Sequence, residues 1–235
     1  MIDEILPTSV ASACTTDEWI EVPLYVEESL ALGRAVDKRR REFVTGRACA
    51  RQALARLGVR PRSVPSGRRG EPLWPQGVVG SITHCRGYVA SAVASRETLS
   101  AIGIDAEPHA ALGEEILPDV ITTAEERRLS DLSAASIDVH WDRVLFSAKE
   151  AVYKAWFPLT GRWLGFHDVE LTVDGADGRF VAQLRVPGAR IDGESISCFN
   201  GRWLVRDGLT LTAVVVPQAS AHDLSGARGP GADWT

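Results

Sequence analysis

Gly103-Ile104-Asp105-Ala106-Glu107-Pro108 is the stretch whose reading decides the fold. With Ile102 before it, the side chains alternate. Ile102, Ile104 and Ala106 fall on one side and Gly103, Asp105 and Glu107 on the other, the period of a strand. Asp105 and Glu107 therefore point the same way. Pro108 cannot donate to a sheet ladder, so the two acids stand at the strand's exit, where sites are commonly built.

About forty residues on lies Lys149-Glu150-Ala151-Val152-Tyr153-Lys154, inside a helical pattern. Trp141, Val144, Leu145, Ala148, Ala151, Val152 and Ala155 recur at spacings of three and four, the mark of a helix with one buried stripe, and Pro158 is expected to end it. Glu150 and Lys154 share a face off that stripe, continued by Ser147 and Arg143. Alone, an acidic pair on a strand is usually a solvated face, and a Glu-Lys pair four apart a surface ion pair. Composition sharpens the reading. Of 26 basic residues three are lysines, Lys38, Lys149 and Lys154, and two of these flank Glu150. Where arginine carries most of the positive charge, a lysine at 154 suits a compact point charge for a phosphate.

The 235 residues, 45% hydrophobic, allow one large domain or two small ones. A net charge of −5 argues against a general nucleic-acid surface, so any basic site must be local. Cys14, Cys49, Cys85 and Cys198 are far apart, with no CxxC pair to signal zinc or a disulfide framework. No apolar run approaches the roughly 20 residues of a membrane span. Asp3 and Glu4 stand where a secretory signal would be positive. The expectation is a soluble, cytoplasmic monomer without membrane or nucleic-acid partners.

Residues 32–57 read as a helix with Val36, Phe43, Ala50, Ala53, Leu54 and Leu57 inward and Gly58 as its stop. Residues 61–77 read as a Pro-, Gly- and Arg-rich loop. Strands are expected at 78–82, 88–94 and 101–106, with Thr83 and His84 in the first turn, and residues 109–118 read as a connector. Thr122 or Thr123 with Glu125 and Glu126 caps a helix to about Leu132, and the helix at 141–157 follows. Four more strands are expected, at 169–173, 179–186, 195–205 and 209–216. The expected fold class is α+β, with two lobes, 1–108 and 109–217, and a disordered tail over 218–235. If the lobes face each other, the acids and the helix meet at their junction, the usual place for a ligand cleft.

Asp105, Glu107 and Glu150 are hard oxygen donors suited to Mg²⁺. Arg39, Arg47, Arg51, Arg68, Arg69, His84 and Lys154 supply local cations for a polyanion. The combination reads as Mg²⁺-assisted transfer at a pyrophosphate, with one carboxylate free to take a proton from an incoming hydroxyl.

Gly70-Glu71-Pro72, Ser81-Ile82-Thr83-His84, the tract 103–107 and Phe146-Ser147-Ala148-Lys149-Glu150-Ala151-Val152-Tyr153-Lys154 occur in the order and spacing of the Sfp-type 4′-phosphopantetheinyl transferases. The chain most resembles the EntD-like branch with actinobacterial members, as Trp156-Phe157-Pro158-Leu159 and Trp163-Leu164-Gly165-Phe166 also suggest. The resemblance implies two similar α+β lobes related by a pseudo-twofold, with coenzyme A and Mg²⁺, or Mn²⁺ in its place, bound between them. It implies Asp105, Glu107 and Glu150 as metal ligands, Glu150 also as general base, and Lys154 on the phosphates. Arg47 and His84 match the positions that hold the 3′-phosphate end of coenzyme A; Arg39, Arg69, Gly70, Glu71, Pro72, Thr83, Asp105 and Leu164 are further expected contacts. The implied reaction moves 4′-phosphopantetheine to a serine of an apo acyl, polyketide or peptidyl carrier protein, releasing adenosine 3′,5′-bisphosphate.

Two departures stand out. Glu71 replaces a frequent lysine, leaving Arg69 to supply that charge, and Phe146 replaces a frequent tryptophan. The rival readings are a non-catalytic coenzyme A-binding relative and another Mg²⁺-dependent phosphodiester enzyme such as a nuclease, which the net charge disfavours. The carrier is expected near residues 109–117 and the helix at Glu125, with Arg127 and Arg128 offsetting its acids.

Overall fold

Alternating apolar residues and two long amphipathic stripes give, among the described residues, ten strands and five helices. The computed structural model describes residues 1–17, 19–33, 36–191 and 194–218. All of the expected tail but Gln218 lies outside them. The first part of the chain holds β1 (Ala11–Thr15), α1 (Val26–Leu32), α2 (Asp37–Arg56), β2 (Val78–Cys85) and β3 (Tyr88–Ser95). The three strands form an antiparallel sheet in the order β1-β3-β2, with α2 packed on it.

After these come β4 (Leu99–Pro108), α3 (Leu117–Val120), α4 (Thr123–Ala135), α5 (Trp141–Thr160), β5 (Val169–Asp174), β6 (Arg179–Leu184), β7 (Ala189–Ile191), β8 (Glu194–Ile196), β9 (Cys198–Arg206) and β10 (Leu209–Pro217). Five of them make an antiparallel sheet in the order β4-β10-β9-β6-β5, covered by α5, and β7 and β8 form a separate hairpin. The mixed helix and sheet architecture is the α+β class, with a 20-residue helix on each main sheet.

The boundary expected at residue 108 falls after β4, yet β4 pairs with β10 at the far end of the chain. Its other edge meets the first sheet through hydroxyls. The Ile104 and Ala106 N–H groups donate to Ser81 Oγ at 3.1 Å and Thr83 Oγ1 at 3.0 Å, satisfying donors that an edge strand would leave open. Ile102, Ile104 and Ala106 pack with Val79, Ala92 and Leu211 between the sheets.

The opposite face of β4 is also covered, so the acids at 105 and 107 do not lie on a solvated face. A side chain at Gly103 would overlap the Ala151 carbonyl oxygen and stand 2.8 Å from the Ala155 nitrogen, so only glycine lets α5 lie this close. Ala101 and Val214 meet Ala148, Ala151, Val152 and Ala155 in this contact.

Several expected boundaries move. The helix expected at 32–57 is α2, which starts only at Asp37; Leu32 is the last residue of α1, and Val36 is exposed at the N-cap of α2. Gly58, at φ 80, does follow the helix end. Thr83 and His84 lie on β2 because a two-residue turn, Arg86-Gly87 with Gly87 at φ 77, suffices to pair Cys85 with Tyr88. Pro158 stays inside α5, where its missing N–H forfeits one bond in the last turn. Gly161, at φ 64 with its N–H donating to Phe157 O at 2.8 Å, ends the helix.

Lys149 is structural. Its ammonium is buried and donates to Glu125 Oε2 at 2.7 Å, Val120 O at 2.8 Å and Phe166 O at 2.9 Å. Burial holds its pKa below the ordinary lysine range while Glu125 pulls the other way. Glu125 accepts in turn from Thr122 N, closing the capping box of α4, and from Leu171 N. This pair fastens α3, α4 and β5 to the back of α5.

Gly103→Ala should lower stability by about 1–3 kcal/mol, the usual cost of overpacking, because the contact is with helix backbone that cannot rotate away. Urea unfolding followed by circular dichroism checks it; a midpoint equal to wild type would mean that the helix does not need this approach.

Candidate active site

The close approach at Gly103 brings the acid face of β4 against the ridge of α5 that carries Arg143, Ser147, Glu150 and Lys154. Asp105 is 4% exposed. Its Oδ1 accepts from Lys154 Nζ at 2.7 Å and from Thr83 Oγ1 at 3.2 Å, and its Oδ2 from Ser147 Oγ at 2.8 Å. Thr212, the cross-strand partner of Asp105 on β10, donates through its hydroxyl to the Ser147 carbonyl at 2.9 Å. Asp105 is thus held by Thr83 of the first sheet and by Ser147 and Lys154 of α5, with Thr212 fixing Ser147 from behind.

Glu107, two residues along, pairs with Arg143 Nη1 at 3.1 Å. Arg143 also donates to the carbonyls of Ala110 at 2.9 Å and Ala111 at 3.2 Å, and Asp142 Oδ2 accepts from Leu112 N at 2.7 Å, so the start of α5 fixes the chain just after β4. Burial pushes the Glu107 carboxyl up to about 7, Asp105 adds to this, and Arg143 and Lys154 oppose it. The Glu150 carboxyl is also raised, by burial first and with Asp105 adding, against the pull of Lys154. Glu150 makes no hydrogen bond or ion pair among the described residues and lines a cleft of 840 Å³.

That cleft assembles part of the expected set: Arg69, Gly70, Glu71 and Pro72 on one wall, Glu150 and Lys154 on the other. Gly70, at φ 87, turns the loop. Glu71 points its carboxylate back onto the Arg69 N–H at 2.9 Å, so it is committed within its own loop. The Arg69 guanidinium lies over the Phe157 ring, 5.7 Å from its centre. Tyr153 and Phe157 complete the wall, with Trp163 packed at a tilt against Tyr153, their ring centres 5.1 Å apart.

Other expected contacts lie elsewhere. Leu164 is in the core under α5 with Trp156 and Ala151, because its side chain fills the inner face of the segment that follows the helix. Thr83 is buried and its hydroxyl is committed to Asp105 and Ala106. Arg47 is 5% exposed, donates to Ser66 Oγ at 2.9 Å and packs on Phe43; burial lowers its pKa to about 10. Arg51 is consumed by the buried Glu28 at 2.9 Å. Arg39 donates from Nη1 to His84 Nε2 at 3.4 Å, which requires that nitrogen to be an acceptor. Burial lowers the His84 pKa, Lys154 and Arg39 adding to the effect and Glu42 opposing it, so the imidazole is neutral at neutral pH.

The donor chemistry fits a hard divalent ion. Asp105, Glu107 and Glu150 offer carboxylate oxygens only, and two of the three are raised in pKa partly by mutual repulsion, the signature of acids short of positive charge. In the present arrangement they do not converge. Among the described residues no three His, Cys, Asp or Glu side chains lie close enough to share an ion. Lys154 and Arg143 hold two of the acids instead.

Sequence reading missed Thr212 and the anchoring role of Arg143. Thr210 and Thr212 alternate in an otherwise apolar strand, which was the available signal for a polar face there. The helix at Glu125 is not the expected docking face at that residue, because the carboxylate is buried under Lys149, and Arg128 is engaged by Glu170 at 2.6 Å and the Leu171 carbonyl at 2.8 Å. No helix among the described residues is long and apolar enough to cross a membrane.

Comparison with known proteins follows the same division. Residues 27–94 match the 4′-phosphopantetheinyl transferase N-terminal domain, and residues 101–198 match the 4′-phosphopantetheinyl transferase superfamily, the second beginning in β4. The chain is 47% identical to 4′-phosphopantetheinyl transferase Svp of Streptomyces mobaraensis, over 90% of this chain and 86% of that protein. It is 46% identical to 4′-phosphopantetheinyl transferase Npt of Nocardia iowensis, over 91% of this chain and 99% of the relative. Enterobactin synthase component D of Salmonella typhimurium is 34% identical over 80% of this chain and 76% of its own length.

The Glu107 pKa gives a sign for the metal-free protein. A carboxyl raised from the ordinary 4.5 to about 7 on folding is most favourable when protonated, and its contribution is lost as pH rises through that window. In chelator, Glu107→Gln should therefore gain about 1–2 kcal/mol on wild type between roughly pH 5 and pH 8. Urea midpoints at the two pH values measure it, and a constant difference would place Glu107 in a solvated environment.

Proposed function

Because the chain belongs to the 4′-phosphopantetheinyl transferase superfamily and is an enzyme that transfers phosphopantetheine to carrier proteins, we propose how its residues divide that work. The observation that carries the proposal is Glu150: a half-buried carboxylate, raised in pKa and unbonded, on the same cleft wall as Lys154 and facing Arg69.

Coenzyme A lies in the cleft with its pyrophosphate toward Lys154 and Arg69. Its 3′-phosphate end reaches Arg39 and His84, with Arg47 behind them at Ser66. The serine hydroxyl of an apo carrier gives its proton to Glu150 while its oxygen forms a bond to the β-phosphorus. The bond from that phosphorus to the bridging oxygen breaks, and adenosine 3′,5′-bisphosphate leaves with the electron pair, its growing charge met by Lys154. Asp105, Glu107 and Glu150 would hold Mg²⁺, or Mn²⁺ in its place, and the bound ion supplies charge neutralisation at the pyrophosphate. Ser147 and Thr83 act on Asp105, and Arg143 on Glu107, as positioning groups. We place the enzyme in the cytoplasm as a monomer.

The carrier docks beside α4, where a groove of 730 Å³ is lined by Leu117, Pro118, Ile121 and Leu129, with Arg127, Glu126 and the Glu170-paired Arg185 at its edge. An apolar groove with the exposed Arg127 at its rim suits an amphipathic helix that carries an acid opposite that guanidinium.

Intact-mass spectrometry of an apo acyl carrier protein incubated with enzyme, coenzyme A and Mg²⁺ should show a gain of roughly 340 Da, the phosphopantetheine increment, that chelator abolishes. Glu150→Ala should reduce transfer about 100-fold or more while coenzyme A still binds. Full transfer by that variant would remove Glu150 from the mechanism. Arg127→Glu, at an exposed rim position, should raise KM for carrier severalfold with kcat unchanged, and an unchanged KM would place the carrier on another face.

A further inference from the structure

Lys154 occupies the position a metal ion would contest. Its ammonium has three protons and meets three acceptors: Asp105 Oδ1 at 2.7 Å, Ile104 O at 3.2 Å and Thr83 Oγ1 at 3.3 Å. A hard divalent ion taking Asp105 as ligand competes with that ammonium for the same buried carboxylate, whose other oxygen is held by Ser147. The ammonium has one open direction. The Lys154 side chain is 26% exposed and lines the cleft, while the strand and Thr83 close its other sides. Arg143 differs. Its guanidinium is tied to the carbonyls of Ala110 and Ala111 as well as to Glu107, so it has no comparable freedom to leave.

We propose that Lys154 is a resident counter-cation of Asp105 that the divalent ion displaces into the cleft, so that metal binding and presentation of the ammonium to the phosphates are a single event. The inference rests on the metal reading of Asp105, Glu107 and Glu150 given above. It implies an order of assembly. Before the ion binds, the ammonium at the cleft wall is committed to Asp105; afterwards the same carboxylate is neutralised by the ion and the ammonium is free for the phosphates. The chain's small number of lysines makes the step measurable without altering the protein. Lys38 has a side chain 85% exposed, and Lys149 is buried on three acceptors, so they serve as fully reactive and fully protected standards.

The experiment is timed acetylation of the wild-type protein, read lysine by lysine by peptide mass spectrometry, in chelator and in Mn²⁺. Mn²⁺ binding to wild type and to Lys154→Met is measured alongside by calorimetry. Loss of a charge-assisted hydrogen bond corresponds to roughly tenfold, so Mn²⁺ should speed labelling of Lys154 by about tenfold with Lys38 and Lys149 unchanged, and Lys154→Met should bind Mn²⁺ about tenfold more tightly. Mn²⁺ binding by wild type without faster labelling of Lys154, or binding by Lys154→Met that is no tighter than wild type, overturns the displacement and leaves the metal site standing. Absence of Mn²⁺ binding in both proteins overturns the metal reading, and the displacement with it.

Discussion

The contact between α5 and β4 at Gly103 is the constraint on which the site depends. A helix normally stands off a sheet by the length of a side chain, and here one position has none, so the backbone of α5 at Ala151 and Ala155 settles directly onto the strand. From that point the distances follow. Ser147, one turn before Ala151, reaches Asp105 Oδ2; Lys154, one turn after Glu150, reaches Oδ1. A wider helix-to-strand spacing would separate these groups and leave a buried carboxylate without partners, which is costly.

Around this contact the molecule divides its charges by role. Lys149 and Glu125 are buried, mutually satisfied and bound to four further backbone groups, an arrangement that locks the helix and leaves nothing free for chemistry. On the opposite side of α5, Asp105, Glu107 and Glu150 are unequally paired, and burial, with their mutual repulsion added, raises two of the pKa values. Adjacent residues, Lys149 and Glu150, thus belong to different systems because a helix sends neighbours to faces 100° apart. The joint between the two main sheets is likewise polar where it bears on the site. Ser81 and Thr83 cap the free edge of β4, and Thr83 also reaches Asp105, so the hydroxyls that join the sheets also orient the acid.

Much of this was legible in the chain. The strand at 103–107 and the helix carrying Glu150 and Lys154 follow from periods of two and about 3.6, which act over a few residues and need no tertiary information. The capping box at Thr122 and Glu125 and the stop at Gly58 are equally local. Expectations failed where a neighbouring turn or a packing partner, and not the residue's own preference, set the outcome. Pro158 does not end its helix because Gly161 supplies the left-handed residue that does. Thr83 and His84 are strand residues because β3 pairs as far as Tyr88. Leu164 belongs to the core because α5 covers it.

The sequence by itself determined the main strands and the long helices, the α+β class and the residue types able to handle a metal ion and a pyrophosphate, since periodicity and side-chain chemistry are written in consecutive residues; the short elements β1, α1, α3, β7 and β8 carry too few residues to show a period. Tertiary structure alone decided which of those groups are free. Strand order is set by pairing between residues about a hundred apart in the chain, as β4 with β10. That pairing and the missing side chain at Gly103 leave Asp105 bonded to Lys154, Glu107 to Arg143, and Glu150 open to the cleft. No local pattern could distinguish three acids whose roles differ only by what lies across from them.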